Sequence, residues 1–312
     1  MGLMTTLKAN KAYRAQQNGD AAGAMKLYEE CFADGLTDAR YVLAYAVLLI
    51  RDGQYQKAKD FLVKHQKAPG MTPDQRVTLI VDYAACCFRL GQLEKGIGKL
   101  EELHRKNPTG LVYQTLGYLY VERFSAEKKA VFLEEQSRKM AEEAAKEAAR
   151  QAAEALKEGA DQAPGEGAAE NRREEDNASF PEGQAPAEEA TRSPEEAAGA
   201  LWEEGRRKAL AFNQEAVEYD DEDPICLDNL GQTWYRVMEN PAEARTWFEK
   251  AHAEKPEQID TLFFLSRYDL ENGDRAAALN KLEKAAAGRF SPLNYCTKDG
   301  IEKEIAALKK ES

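Results

Sequence analysis

The chain has 312 residues, 43% hydrophobic and 31% charged, with a mean hydropathy of -0.65 and a net charge of -12. That is enough apolar material for a sizeable core, but no apolar run approaches the roughly 18 residues needed to cross a bilayer, so a membrane-spanning protein is not expected. Cys31, Cys86, Cys87, Cys226 and Cys296 are odd in number and contain no Cys-x-x-Cys pair, which argues against a disulfide or metal scaffold.

At the start, MGLMTTLKANKAYRAQ has no apolar core or cleavage site of a secretory signal, and a soluble cytoplasmic protein is expected. Gly2 to Thr6 fits a loose myristoylation pattern. Thr5 or Thr6 reads better as the N-cap of a first helix. Cys31, Cys87 and Cys226 fall on apolar helical faces, where a free thiol packs as a small hydrophobe, consistent with a reducing compartment.

Two-helix units then follow in series. Ala24, Tyr28 and Cys31 mark the second helix of the first unit. Ala58, Leu62, His65 and Pro69 mark the next, then Gly96, Leu100, Leu103 and Pro108. Downstream come Ala244, Phe248, Ala251 and Pro256, and then Ala278, Leu282 and Ala285 with Pro292 near the end. Ahead of each lies a helix with an apolar residue and a small one at its middle: Tyr45-Ala46, Tyr83-Ala84, Leu116-Gly117, Leu230-Gly231 and Leu265-Ser266. Asn18-Gly19-Asp20, Asp52-Gly53, Leu90-Gly91 and Asn272-Gly273-Asp274 are the turn signals between paired helices.

Equivalent residues are 34 apart from Ala24 to Ala58, 38 to Gly96, 35 from Ala209 to Ala244 and 34 to Ala278. With this spacing and pattern the chain resembles the tetratricopeptide repeat family, in the form of a bacterial-type solenoid with an insertion in the fourth repeat. The resemblance implies an all-α, right-handed solenoid of about six helical hairpins with a C-terminal capping helix. Antiparallel helices approach closely only where Gly or Ala stands at the crossing, while large residues fill the space on either side.

The first helix of the fourth unit, around Gly117, lacks its partner at the usual distance. The matching second helix is KALAFNQEAVEY, because Ala216 to Gly231 spans the same 15 residues as Ala251 to Ser266. The expected divisions are therefore 5–123 for three repeats and a half, 124–158 for a long charged Ala-rich helix, and 159–193 for a disordered acidic linker. Residues 194–292 complete repeats four to six, and 297–312 form the cap.

The helical part of the insertion contains no Gly or Pro over 126–158 and is expected to be one long helix, continuous with the first helix of repeat four. The linker has a single large apolar residue, Phe180, and cannot offset its ordering entropy by burial. Ser193 followed by Pro194 restarts a helix. Phe124, Val131, Phe132 and Leu133 on one side and Leu201 and Trp202 on the other suggest that the two helices run on together as a short coiled-coil arm. Residues 157–200 carry twelve carboxylates against four cations, a net of -8. The rest of the chain is thus close to balanced, which disfavours nucleic acid as a partner.

Chemistry is largely absent from the sequence. His65, His104 and His252 have no ligand at metal-binding spacing. Gly91 and Gly96 have phosphate-loop spacing, but Ile97 stands where Lys is needed and no strand precedes. Neither catalytic residues, a metal nor a cofactor is expected.

The family register places the lining of a concave groove on the first helices. It would consist of Leu43, Val47 and Ile50, then Val81, Ala85 and Phe88, then Gln114, Tyr118 and Val121. Asp228, Gln232 and Tyr235 follow, and Phe263, Arg267 and Leu270 end the series. In chaperone-tail-binding members a Lys/Asn/Arg set clamps a terminal carboxylate, whereas Leu43, Ala44 and Val47 stand at the corresponding positions here. The expected function is a non-catalytic scaffold that holds a protein or peptide segment in the groove. Two alternatives remain open: the arm recruits the partner while the solenoid is a frame, or the chain is a peptide-sensing regulator or a subunit of an enzyme complex.

Overall fold

The structure, a computed structural model, describes residues 3–160 and 192–310. The described residues contain helices and no strand. They fall into two compact units, one of residues 1–126 with 206–312 and one of residues 127–205.

In the first unit the helices are α1 (Leu3–Gln17), α2 (Ala21–Ala33), α3 (Ala39–Arg51), α4 (Tyr55–His65), α5 (Pro73–Arg89), α6 (Leu93–Lys106) and α7 (Gly110–Phe124). Of the helices beyond the insertion, α9 (Pro194–Tyr219) enters this unit from residue 206 onward. It is followed by α10 (Pro224–Gln232), α11 (Pro241–Glu254), α12 (Ile259–Glu271), α13 (Arg275–Ala286) and α14 (Lys298–Lys310). Pairing α1 with α2, α3 with α4, α5 with α6, α7 with α9, α10 with α11 and α12 with α13 gives six hairpins, and α14 covers the last.

Local chemistry sets the ends. Asp20, Asp38, Asp223, Asn240 and Asp274 each accept an amide of the following first turn with the side chain, and Thr72 with Gln75 forms a capping box ahead of Pro73. Thr5 and Thr6 lie inside the first turns of α1, so neither caps it. Gly19, Gly53, Gly91 and Gly273, at the four turn signals, have φ between +68° and +84°. That left-handed region costs a side chain about 1 kcal/mol or more. The α10–α11 turn has no glycine. There Thr233–Val237 forms a π-turn and Glu239 takes φ +56°.

The crossings carry small residues because nothing larger fits. A Cβ on Gly231 would stand 2.7 Å from the Phe248 ring, and one on Gly96 3.2 Å from the Ala84 carbonyl. Ala24, Ala58, Ala209, Ala244 and Ala278 are all fully buried. At the C-terminal end Ile301, Ile305 and Leu308 of α14 pack on Leu282, Ala285 and Ala286 of α13. The C-terminal helix is pinned further by Arg275, whose guanidinium donates to the Leu308 carbonyl at 2.7 Å. All five cysteines are buried and unpaired.

The second unit contains a 3₁₀ turn (Ala126–Lys128), α8 (Lys129–Ala160) and the first half of α9. Ser125 has extended dihedrals, φ -63° and ψ 141°, so α7 and α8 are separate helices and not the continuous one expected from composition. Ser193 and Glu196 reciprocally bond each other's amides at 3.2 and 3.0 Å and open α9. Inside this unit the Phe132 and Trp202 rings pack 5.2 Å apart, and the Ser137 hydroxyl donates to the Pro194 carbonyl. From Ala141 to Glu154 every residue of α8 is exposed. The acidic stretch expected to be disordered lies outside the described residues over 161–191.

Candidate functional site

The first helices α3, α5, α7, α10 and α12 face the same side of the first unit, and the segment 288–297 between α13 and α14 returns across that side. It is anchored at one carboxylate. Asp260, at the start of α12, accepts the backbone N–H of Tyr295 at 3.0 Å, the N–H of Cys296 at 3.1 Å and the side-chain amide of Asn294 at 3.0 Å. The Tyr295 ring lies 5.2 Å from Phe264, stacked on it, and 5.7 Å from Phe263. Arg236 places its guanidinium 4.0 Å from the centre of the Tyr295 ring, a desolvated cation–π contact.

Under this segment runs a buried polar chain. The Thr261 hydroxyl donates to Asp228 at 2.6 Å, and the Gln232 amide donates to the other Asp228 oxygen at 2.7 Å. Arg236 then bridges the Gln232 carbonyl at 3.0 Å and Glu122 at 2.7 Å. Burial raises the carboxyls of Asp228 and Asp260 above the usual range, and at Asp228 the charge of Asp260 acts in the same direction. The donors around them work in the opposite direction.

The segment borders two cavities on the first helices. One of about 850 Å³ lies between it and α7, α10 and α12, lined among others by Gln114, Tyr118, Asp228 and Gln232. The other, of about 700 Å³, lies between it and α3 and α5, with Val47, Ile50, Val81 and Ala85 on its apolar wall and Arg51, Asp82, Arg89, Arg289 and Lys298 as its charged groups.

The residues that the register predicts for the groove therefore divide. Val47, Ile50 and Ala85 line the second cavity, Gln114, Tyr118, Asp228 and Gln232 line the first, and Val81 borders both. Gln114 is engaged by Asp223 at 2.5 Å. Tyr118 keeps only 4% of its surface, edge-on to Phe88 at 5.6 Å, and burial holds its hydroxyl well above the usual value. Val121 is fully buried. Leu43 packs against the core of the N-terminal hairpins, and Tyr235 lies among Phe248, Phe264 and Tyr268. Phe263 is covered by Tyr295, Arg267 is paired with Glu304 of α14, and Leu270 is half-buried. The downstream end of the surface is thus covered by the chain itself.

Sequence reasoning did not single out Asp82, Asp260, Arg236, Arg289 or Tyr295. Their partners are remote in the chain, and no local pattern marks them. The histidines serve packing: His104 is edge-on to Tyr113 and Phe212 at 4.9 and 5.1 Å, and His65 lies 4.4 Å from Phe61. Among the described residues no group of His, Cys, Asp and Glu could hold a metal ion. Nor is any described helix long and apolar enough to cross a membrane.

Comparison with known proteins agrees with this architecture. The family model for subunit 3 of the anaphase-promoting complex, or cyclosome, matches residues 17–103. TTC0263, a thermophilic tetratricopeptide-repeat protein of Thermus thermophilus, is similar in structure with a TM-score of 0.52 and 14% identity, covering 88% of this chain and 100% of that one. PilW, described as a widely conserved type IV pilus biogenesis factor, is similar with a TM-score of 0.52 and 11% identity, covering 98% and 100%. No curated protein matches the chain in sequence. By its repeats and its fold, the chain is similar to tetratricopeptide-repeat solenoids.

Proposed function

We propose that this chain is a non-catalytic interaction module that holds a peptide segment of a partner protein in the upstream part of its concave surface. The observation that carries this reading is the cavity of about 700 Å³ bounded by α3, α5 and the 288–297 segment, whose apolar wall is formed by Val47, Ile50, Val81 and Ala85. A concave apolar surface of that size with a few polar groups is the usual form of a recognition site. The solenoid suits this role because its repeats place successive first helices side by side and leave a continuous surface for an extended guest. Tyr295 already covers Phe263 and Phe264 of α12, which supports the upstream part as the place for the guest.

A second reading has its own support in α8, which is exposed over 141–154 with no groove of its own and could present a charged helical face to a partner. A photo-crosslinking amino acid placed at Val47, at Ala145 of α8 or at Lys67 as a control separates the two in living cells. Discrete adducts at position 47 alone, mapping to one segment of one partner, are expected. Adducts at 145 alone would transfer the function to the helical insertion.

A further inference from the structure

The cavity between α3, α5 and the 288–297 segment carries a charge arrangement that the chain as a whole does not. The protein has 55 Asp and Glu against 43 Lys and Arg, yet three arginines, Arg51, Arg89 and Arg289, converge on this one cavity, with Lys298, which faces Glu302 at 3.9 Å, at its edge. Among the described residues none of the three has a carboxylate within ion-pair distance. Arg89 lies 5.6 Å over the Tyr55 ring instead. Partial burial and the neighbouring charge of Arg289 both act against the protonated state of Arg51, so two cations are held close enough to repel across the cleft. Asp82 is the acid in the same cavity, and it does not neutralise them. Its carboxyl is desolvated and pushed up to about 7, and its Oδ2 has no hydrogen-bond partner.

Unpaired like charges gathered over an apolar wall cost free energy unless an anion joins them. Arginine suits a carboxylate because its planar fork can donate two bonds at once. We propose that this cavity takes a peptide segment carrying an Asp or Glu side chain beside an aliphatic one. The carboxylate would sit among Arg51, Arg89 and Arg289, and the aliphatic group would lie on Val47, Ile50 and Ala85. Asp82 is left to bond a main-chain N–H of the guest. The proposal rests on the groove reading above and specifies the chemistry of the guest. Arg289 belongs to the 288–297 segment and not to a repeat, so the site exists only when that segment is in place.

Selection of a random dodecapeptide phage library on the full chain tests this, in parallel with Arg51→Glu/Arg89→Glu and Arg51→Gln/Arg89→Gln. The arginines are exposed, and circular dichroism checks that each variant folds. The wild type is expected to enrich Asp or Glu next to Leu, Ile or Val, and the charge-reversed variant to enrich Lys or Arg at the same place. A synthetic acidic peptide from the wild-type selection should bind the Gln variant at least tenfold more weakly. Enrichment of apolar sequences without an acid, equal on all three proteins, would overturn the acidic subsite and leave the groove reading standing. No enrichment on any of them would overturn both.

Discussion

The side-chain amide of Asn213 donates to the main-chain carbonyl of Gly117 at 3.3 Å, joining positions 96 residues apart. The same nitrogen lies 3.0 Å from the Ala209 carbonyl and 3.0 Å from the Thr233 hydroxyl. One buried amide therefore ties α7 to α9, and α9 to the end of α10, and so closes the fourth hairpin across the inserted residues.

Gly117→Ala is expected to destabilise the protein despite the better helix propensity of alanine. The new methyl would stand 2.3 Å from the Asn213 Oδ1 and 3.4 Å from the Asn229 amide, and Asn213 cannot swing away without giving up its three acceptors. Overpacking of this kind costs about 1–3 kcal/mol, against about 1 kcal/mol of propensity gained. Urea unfolding of the full chain measures the balance. A midpoint equal to or above that of the wild type would mean the α7–α9 crossing is looser than its geometry.

Gly231 and Phe248 should couple in a double-mutant cycle. Gly231→Ala puts a methyl 2.7 Å from the Phe248 ring, which is fully buried and stacked on Phe264 at 4.8 Å. Phe248→Leu alone removes aromatic contact and is expected to cost about 1 kcal/mol or more. Together the two changes should cost less than their sum by about 0.5–3 kcal/mol, the range seen for residues in contact. Strict additivity would remove the claim that ring and glycine are matched.

These crossings were readable in the sequence because they recur. Gly231 with Phe248 repeats what Ala46 with Leu62 and Ala84 with Leu100 show upstream, and a 34-residue period leaves few other folds. The register also placed Val47, Val81 and Gln114 on one face. What fills that face was not readable. Asp260 looks like an ordinary acid in the first turn of a helix, where the dipole favours it, and its three donors lie 34 to 36 residues further on. Arg51 and Arg89 likewise resemble cations in a last turn. Only the fold brings Arg289 to them. The break at Ser125 escaped composition because the sequence on both sides favours helix, and a single extended residue suffices to end one.

Loss of the Asp260 carboxylate should free the 288–297 segment while the repeats stay folded. In Asp260→Ala the amides of Tyr295 and Cys296 lose their acceptor. Their hydrogen exchange should accelerate at least tenfold, with protection of α1 to α6 unchanged. Cys296, now 8% exposed, should also react faster with a thiol reagent. Unaltered exchange at 295 and 296 would show that ring stacking alone holds the segment.

Asp82 gives a pH dependence whose sign can be worked out. Its carboxyl titrates near 7 in the folded chain because burial penalises the charge, against an ordinary value of 3.8. A raised folded value means that the favourable contribution is fully present below about pH 4, is lost as pH rises toward 7 and changes no further above it. The Asp82→Asn variant lacks this titration, so its stability relative to the wild type should climb between pH 4 and 7. Each pH unit in that window contributes at most about 1.4 kcal/mol. Comparing variant with wild type is necessary because Asp228 and Asp260 are also raised by burial and shape the curve of both proteins equally. Urea midpoints at pH 4.5, 6 and 8 provide the measurement. If the two curves run parallel, the carboxyl of Asp82 is solvated or paired in solution, and its assignment to an enclosed position in the cavity fails.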